Sequence, residues 1–421
     1  MKLTEQKIAI VGLGYVGLPL ALEFGKKTKV VGFDINTNRI NELKKGIDST
    51  KESNENDFLL AKKLSFTFKL NQIKDCNIYI VTVPTPINKF KTPDLDPLLS
   101  ASRMIASVLK KNDIVIYEST VYPGCTEEDC VPVLEEGSGL KYNKDFYCGY
   151  SPERINPGDK INTLTKIVKV TSGSTPEIAN FIDDLYSKII KAGTYKASTI
   201  KVAEASKAIE NAQRDLNISF VNELALIFDK MDIDTNEVID AAASKWNFLK
   251  FKPGLVGGHC IGVDPYYLTH KAESLGYYPQ VILSGRRVND YMASFVSNKA
   301  IKLMIKKGIK ISSSKALILG ITFKEDCPDI RNSKIIDIYR ELNQFGLNVD
   351  VFDPIVDSKL VKKEYGFNCI KSVNTKKYDL IIIAVKHTEF LTINFNKIVK
   401  NKSVIFDLKG MLDKDLTDAR L

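Results

Sequence analysis

The stretch KIAIVGLGYVGLPLALEFGKKTKVVGFD, Lys7 to Asp34, decides the fold. Lys7 to Val11 reads as a short buried strand that runs straight into Gly12-Leu13-Gly14-Tyr15-Val16-Gly17, a GxGxxG opening an apolar helical segment from Leu18 to Phe24. A second strand, Lys29 to Phe33, ends at Asp34. The glycines suit a tight turn, a close main-chain approach to a pyrophosphate, and close packing of helix on strand. The pyrophosphate would sit on the helix N-terminus, and the acid about twenty residues further on would take the ribose hydroxyls. A lone GxGxxG says little, but strand, glycines, helix, strand and acid in this order specify a dinucleotide-binding unit. Gly12, Gly14, Tyr15, Val16, Gly17 and Asp34 are therefore the first cofactor-contact candidates. Asp34 favours NAD over NADP, because a carboxylate repels a 2′-phosphate; Arg39 blunts that inference, since a guanidinium can stack on adenine or take a phosphate.

Outward from this unit, strands are expected at Asn77 to Val83 and Asp113 to Tyr117, each leading into a polar or proline-bearing turn, Pro84-Thr85-Pro86 and Glu118-Ser119-Thr120. In a doubly wound sheet ligands lie outside the carboxyl ends of the strands, which puts Thr85, Ser119 and Thr120 at the cofactor crevice. The competing reading of a strand-end hydroxyl is simple turn capping. Tyr147 to Tyr150 gives another short strand, and the Ser151-Pro152-Glu153-Arg154 turn after it would face Glu153 into the same crevice.

With 421 residues, 44% of them hydrophobic, the chain has material for two or three domains. Its net charge of +9 comes from lysines spread along the whole length without the aromatic interleaving of a nucleic-acid groove, so a solvated basic surface and small anionic ligands are expected, with no nucleic-acid partner. No apolar run is long enough for a membrane span, and the seven cysteines form no CxxC pair, which suits reduced thiols in a cytoplasmic protein. The three histidines make no ligand spacing with one another or with a cysteine, so no metal is expected.

From about Ser198 to Met231 there is no Pro or Gly and the apolar residues recur at helical spacing, which predicts one long helix, read as the spine of a middle domain and the element of a homodimer. Lys207 and Asn211 are four apart on it and share a face, with Glu204 and Arg214 on the same side; a solvated charged stripe is the plain alternative. Beyond it, KPGLVGGHCIGVD, Lys252 to Asp264, sets Cys260 in a glycine-rich loop. An isolated cysteine is more often inert packing than a nucleophile. From Lys315 a second alternating pattern begins, KALILG, a helix from about Ser333 to Phe345, NVDVFDP, YDLIIIAV and SVIFDL, a second parallel sheet without a GxGxxG. The expected architecture is α/β, with two Rossmann-like doubly wound domains, 1–197 and 311–421, joined by a long central helix and a helical middle domain, 198–310, that carries the cysteine loop.

In these features the chain resembles the UDP-glucose/GDP-mannose dehydrogenase family from end to end: GLGYVGLP at 12–19, PTP at 84–86, EST at 118–120, SPER at 151–154, EASKAIEN at 204–211, GGHC at 257–260, VDP at 263–265 and FKEDCPDIRNS at 323–333. Within the family, SPERINPGDK and the run from Gly254 to Asp290 look most like the bacterial UDP-N-acetylhexosamine 6-dehydrogenases of the Vi-antigen type. The resemblance implies a four-electron, NAD-dependent oxidation of the sugar C6 hydroxyl to a carboxylate, for surface polysaccharide synthesis.

It implies that Cys260 attacks the aldehyde, that Lys207 and Asn211 supply donors to the oxyanions, and that Asp264, Thr120 and Glu153 handle the water or the alcohol proton. It also places Lys324 near the substrate and Arg331 near NAD, and it closes the loop Phe248 to Gly254 over the uridine diphosphate. Arg154, Lys252, Gly257 and Arg287 complete the expected substrate contacts. Two departures stand out. The second glutamate of the Pro-Glu loop in the UDP-glucose enzymes is Pro157 here, and the arginine that reaches across the dimer has no clear counterpart among Ser244, Lys245 and Lys252. UDP-glucose or UDP-ManNAc as substrate, a two-electron hydroxyacid dehydrogenase of the 6-phosphogluconate type, and an idle NAD-binding scaffold remain as alternatives.

Overall fold

The computed structural model describes residues 6–50, 52–88, 90–155, 161–258, 261–373 and 376–421. The chain groups into two compact units, Met1–Glu210 with Tyr266–Tyr278, and Asn211–Pro265 with Pro279–Leu421.

The first unit holds an eight-stranded sheet in the order β3-β2-β1-β4-β5-β6-β7-β8. Its strands are β1 (Lys7–Val11), β2 (Lys29–Phe33), β3 (Leu64–Thr67), β4 (Ile78–Val81), β5 (Ile114–Tyr117), β6 (Tyr147–Tyr150), β7 (Lys169–Gly173) and β8 (Thr194–Lys196). Central β1 pairs in parallel with β2 and β4, Val11 lying opposite Phe33 and Val81. Ile8, Ile10, Ile78, Ile80, Ile114 and Ile116 are fully buried and join one core with Leu18, Leu20, Leu22 and Phe24 of the helix Gly17–Gly25. Each such side chain contributes roughly 1.5–3 kcal/mol by leaving water. All pairings are parallel except β6 with β7, so the last two strands run against the rest.

β1, β2 and β6 begin and end where the sequence predicts, because a strand buried on both faces reads as an unbroken apolar run. β3, β7 and β8 carry no such signal: β3 is only partly buried, β8 has three residues, and β7 contains Lys169, Thr171 and Ser172.

The helix Ile200–Met231 runs for 32 residues, about 48 Å. Thr199 caps its start, Oγ1 accepting the Val202 N–H at 3.1 Å, and Asp232 stops it in the left-handed region at φ 58°. The second unit carries a five-stranded parallel sheet, β10-β9-β11-β12-β13. Its strands are β9 (Lys315–Leu319), β10 (Asn348–Phe352), β11 (Tyr378–Ile383), β12 (Val399–Asp407) and β13 (Ala419–Arg420). Met292, Val296, Ala300 and Met304 of the helix Gln280–Lys306 pack into one core with Ile318, Leu380, Ile382 and Phe406 of the sheet. Among the described residues no helix is long and apolar enough to cross a membrane.

Candidate active site

In the first unit the chain leaves β1 at Gly12 with φ 97°, and a Cβ there would lie 3.1 Å from the main chain of Thr82. At Gly17 a Cβ would run into the Gly12 carbonyl oxygen and Thr82 Oγ1, so this glycine is required by helix-on-strand packing. Gly14 differs, because nothing lies within 4 Å of a Cβ built on it. The helix Gly17–Gly25 has no side-chain cap and no acid in its first turn, which leaves N–H groups for an anion. Asp34 ends β2, its Oδ2 accepting from Leu13 N and its Oδ1 from Asn36 N, each at 2.8 Å. One open glycine, one uncapped helix start and one acid at the next strand end fit a dinucleotide.

Arg39 is buried and does not present its charge to that cradle. Its Nε donates to the Leu13 carbonyl at 2.9 Å, NH1 donates to Ser49 Oγ at 3.1 Å, and NH2 pairs with Asp48 at 2.8 Å. Burial pushes the Asp48 carboxyl up, but hydrogen bonds from Thr50, Arg39 and Ser53 outweigh it and hold the group below the usual range. The guanidinium thus braces the glycine turn from beneath, which removes the reservation about NAD raised by its presence.

Thr85 Oγ1 donates to the Thr120 carbonyl at 2.7 Å and Ser119 Oγ to the Val83 carbonyl at 2.6 Å, so these hydroxyls stitch the exits of β4 and β5 together. Their protons are committed to the main chain, as in turn capping. Tyr267 braces the same turn, its hydroxyl reaching the carbonyls of Thr85 at 2.9 Å and Pro86 at 3.2 Å.

Glu153 is 6% exposed; its Oε1 accepts the Ile155 N–H, and its Oε2 has no partner among the described residues. The turn beneath it rests on a buried group that sequence reasoning missed. Lys169 Nζ donates to Glu118 Oε2 at 2.6 Å and to the Pro152 carbonyl at 3.0 Å, and Tyr186 OH donates to Glu118 Oε1. Burial is the main force raising the Glu118 carboxyl, opposed by Lys169 and reinforced by the charge of Glu153. Glu118 sits in the quoted EST motif, but its partners lie 51 and 68 positions away, and no local pattern announces them. Arg154 turns aside to an ion pair with Glu210 at 2.8 Å and to the Val168 carbonyl at 2.8 Å. Pro157 lies outside the described residues.

Along the helix Ile200–Met231 the expected charged stripe separates into individual tasks. Glu204 is fully buried and accepts from Gly124 N at 2.5 Å and Thr126 N at 2.9 Å, with burial raising its carboxyl to about 7. Lys207 is 7% exposed, and among the described residues it makes no hydrogen bond or ion pair. Arg214 is exposed. In the second unit Asn211 Nδ2 donates to Asp264 Oδ2 at 2.5 Å, joining two of the expected catalytic residues; Asp264 is buried at the start of the helix Asp264–Ser274.

Cys260, with His259, lies outside the described residues. The chain before it is held by glycines: Gly258 has φ 83° with the Phe323 ring 2.9 Å from a Cβ built on it, and a Cβ on Gly257 would lie 2.8 Å from the Asn332 carbonyl oxygen. Close packing on the Phe323–Ser333 turn therefore requires both.

Lys252 and Gly254 line a cavity of about 320 Å³ together with Glu325, Lys386 and Lys409. Among the side chains that line it, Lys252, Lys386 and Lys409 outnumber Glu325, which suits an anion. Burial pulls the Lys409 ammonium down, opposed by Glu325 and Asp407. Lys386 and Lys409 were not legible as site residues, each being one lysine after an apolar strand among many lysines. Gly257 and the exposed Lys324 line a smaller adjoining pocket with Phe323 and Lys334. Phe248 is half-buried and outside that cavity. Arg287 is exposed and donates to Ser284 Oγ at 2.9 Å, and Arg331 is exposed and paired with Asp329 at 2.5 Å. Among the described residues no group of His, Cys, Asp and Glu could hold a metal ion.

Three family models match successive parts of the chain: the NAD binding domain of the UDP-glucose/GDP-mannose dehydrogenase family over residues 6–190, its central domain over 201–291 and its UDP binding domain over 317–414. The chain is 59% identical over 420 residues to a UDP-N-acetyl-D-glucosamine 6-dehydrogenase from Salmonella typhi, covering 99% of each. A protein of the same name from Pseudomonas aeruginosa is also 59% identical, over 99% of this chain and 100% of that one. Among solved structures, the UDP-D-ManNAc dehydrogenase of Pyrococcus horikoshii matches with a TM-score of 0.89 at 29% identity, covering 99% of this chain and 98% of that one.

Proposed function

The chain belongs to the UDP-glucose/GDP-mannose dehydrogenase family, and on that premise we propose that it oxidises the C6 hydroxyl of UDP-N-acetylglucosamine to the uronic acid. It is an NAD-dependent nucleotide-sugar 6-dehydrogenase. The observation that carries the sugar assignment is 59% identity along the whole length to proteins named for that substrate, against 32% to the mannosamine enzyme of Pyrococcus horikoshii.

Converting a primary alcohol to a carboxylate removes four electrons and adds one water oxygen. Gly12, Gly14, Gly17 and Asp34 would hold NAD, which when bound would supply the hydride acceptor, twice per product. The remaining work falls to the chain. Glu153, with a buried and unpartnered carboxylate oxygen, is suited to take the hydroxyl proton directly or through a water that Thr120 orients. Cys260 adds to the C6 aldehyde as a thiolate, forming a carbon–sulfur bond and a thiohemiacetal; loss of hydride from that carbon leaves a thioester, which water cleaves to carboxylate and free thiol. Lys207 and Asn211 donate to the oxyanions formed on addition and on hydrolysis. Asp264, hydrogen-bonded to Asn211, orients that amide and accepts the water proton. The uridine diphosphate is assigned to the lysine-lined cavity beside Gly254.

Val202, Ile209, Phe220, Ile227 and Met231 are exposed along one stripe of the long helix, which supports a homodimer through this element. Free thiols at all six described cysteines suit the cytoplasm, where the product would feed surface polysaccharide synthesis. A side-by-side assay of UDP-GlcNAc, UDP-GalNAc, UDP-ManNAc and UDP-Glc tests the substrate. UDP-GlcNAc is expected to have the highest kcat/KM, at least about tenfold above UDP-ManNAc, the scale of one well-read polar contact. Preference for UDP-ManNAc or UDP-Glc would refute the assignment.

A further inference from the structure

The interior of the second unit contains a chain of polar side chains where helices would ordinarily meet through apolar ones. Asn222 and Asp215 are on the helix Ile200–Met231, Asn289 and Arg286 on the helix Gln280–Lys306, and all four are buried. Arg286 NH1 donates to Asp215 Oδ1 at 2.6 Å. Asn289 Nδ2 donates to the same Oδ1 at 2.7 Å and to the Asp215 carbonyl at 3.0 Å. Asn222 Nδ2 donates to Asn289 Oδ1 at 2.8 Å and to the Gly254 carbonyl at 3.0 Å, while Asn222 Oδ1 accepts the Gly254 N–H at 2.8 Å.

The order of these bonds leaves no freedom. A carboxylate paired with arginine only accepts, so both N–H groups of Asn289 must face Asp215. That turns the Asn289 oxygen toward Asn222 and fixes which end of the Asn222 amide is nitrogen. The Asn222 oxygen is then left for the one remaining donor, the main-chain N–H of Gly254, and its second N–H for the Gly254 carbonyl. Every amide proton of the two asparagines is used. Both asparagine amides are satisfied, whereas Asp215 Oδ2 is buried with no hydrogen-bond partner among the described residues, so the network fixes its geometry through the amides and Asp215 Oδ1. Its output is the position of Gly254, which lines the lysine-rich cavity and stands 3.4 Å, measured from a Cβ built on it, from the Lys409 ammonium.

We propose that Asn222 is a positioning residue for the nucleotide-sugar subsite: its carboxamide, oriented by Asn289 and Asp215, clamps the Gly254 main chain and so sets the Lys252–Gly257 segment against Lys409. The proposal rests on the reading that this cavity takes the uridine diphosphate. Asn222→Asp keeps the shape and the acceptor for Gly254 N–H but sets an oxygen against the Gly254 carbonyl and Asn289 Oδ1.

The variant is tested with UDP as ligand, its binding to the full-length protein followed by isothermal titration calorimetry. Asn222→Asp is expected to weaken UDP at least tenfold and to raise KM for the sugar nucleotide in proportion, with KM for NAD within twofold of the parent. UDP affinity within twofold of the parent, or an equal loss toward NAD, would overturn the clamp. Hydrogen exchange on the unmodified protein is an independent check that does not need the variant to fold. Gly254 N–H should exchange at least a hundredfold more slowly than that of exposed Lys252, and comparable rates would also overturn it. A parent that binds no UDP refutes the cavity assignment and with it the clamp's role in binding nucleotide.

Discussion

Replacing Cys260 with Ala is expected to lower uronic acid formation at least about a hundredfold, the scale on which loss of a nucleophile or oxyanion donor is felt. The expectation follows from the second half of the reaction. An aldehyde carbon must be raised to sp³ before it can give up a hydride, and a thiolate adds to it more readily than water and later leaves as a good leaving group. Without the thiol the first oxidation still has its base and its hydride acceptor, so the variant should form aldehyde, trappable with hydroxylamine, and little acid. Quenched-flow analysis of the sugar products distinguishes the two. Uronic acid at the parent rate from Cys260→Ala would refute the thioester route.

Lys207→Met should cost about 10²–10³ in kcat, or ~3–4 kcal/mol of transition-state stabilisation. A buried ammonium without a counter-charge is unfavourable in the resting protein. Lys207 is such a group among the described residues, and methionine has similar length and no charge to desolvate. The same substitution should therefore leave Tm unchanged or raise it, as expected where a site is organised for its reaction at the expense of stability. Kinetics and a thermal melt on one preparation decide the matter. Lost activity together with a Tm many degrees lower would make Lys207 a structural residue, and retained activity would remove it from the mechanism.

The parts legible in the sequence are those whose determinants are local. β1, the three glycines, the start of β2 and Asp34 fall within 28 consecutive residues, and the tight turn at Gly12 and the close helix-on-strand packing at Gly17 are both seen in their geometry. The long helix was legible because 32 residues without Pro or Gly repeat one period. Arg39 was misleading because its ion pair with Asp48 depends on how the loop after its helix returns, which no motif encodes. The Lys169–Glu118–Tyr186 group and the Asn222–Asn289–Asp215 relay are assembled from segments about 50 to 75 residues apart. Their members look like ordinary polar residues until the fold buries them. β7 carries no local signature for the same reason, since its Lys169 is held in the strand by Glu118 from the exit of β5 and by the Pro152 carbonyl.

Counting NADH against substrate consumed tests the central claim most directly. With UDP-GlcNAc limiting and NAD in excess, four-electron oxidation through Cys260 predicts two NADH per UDP-sugar and no accumulated aldehyde. One NADH per sugar, with the aldehyde as final product, would contradict it.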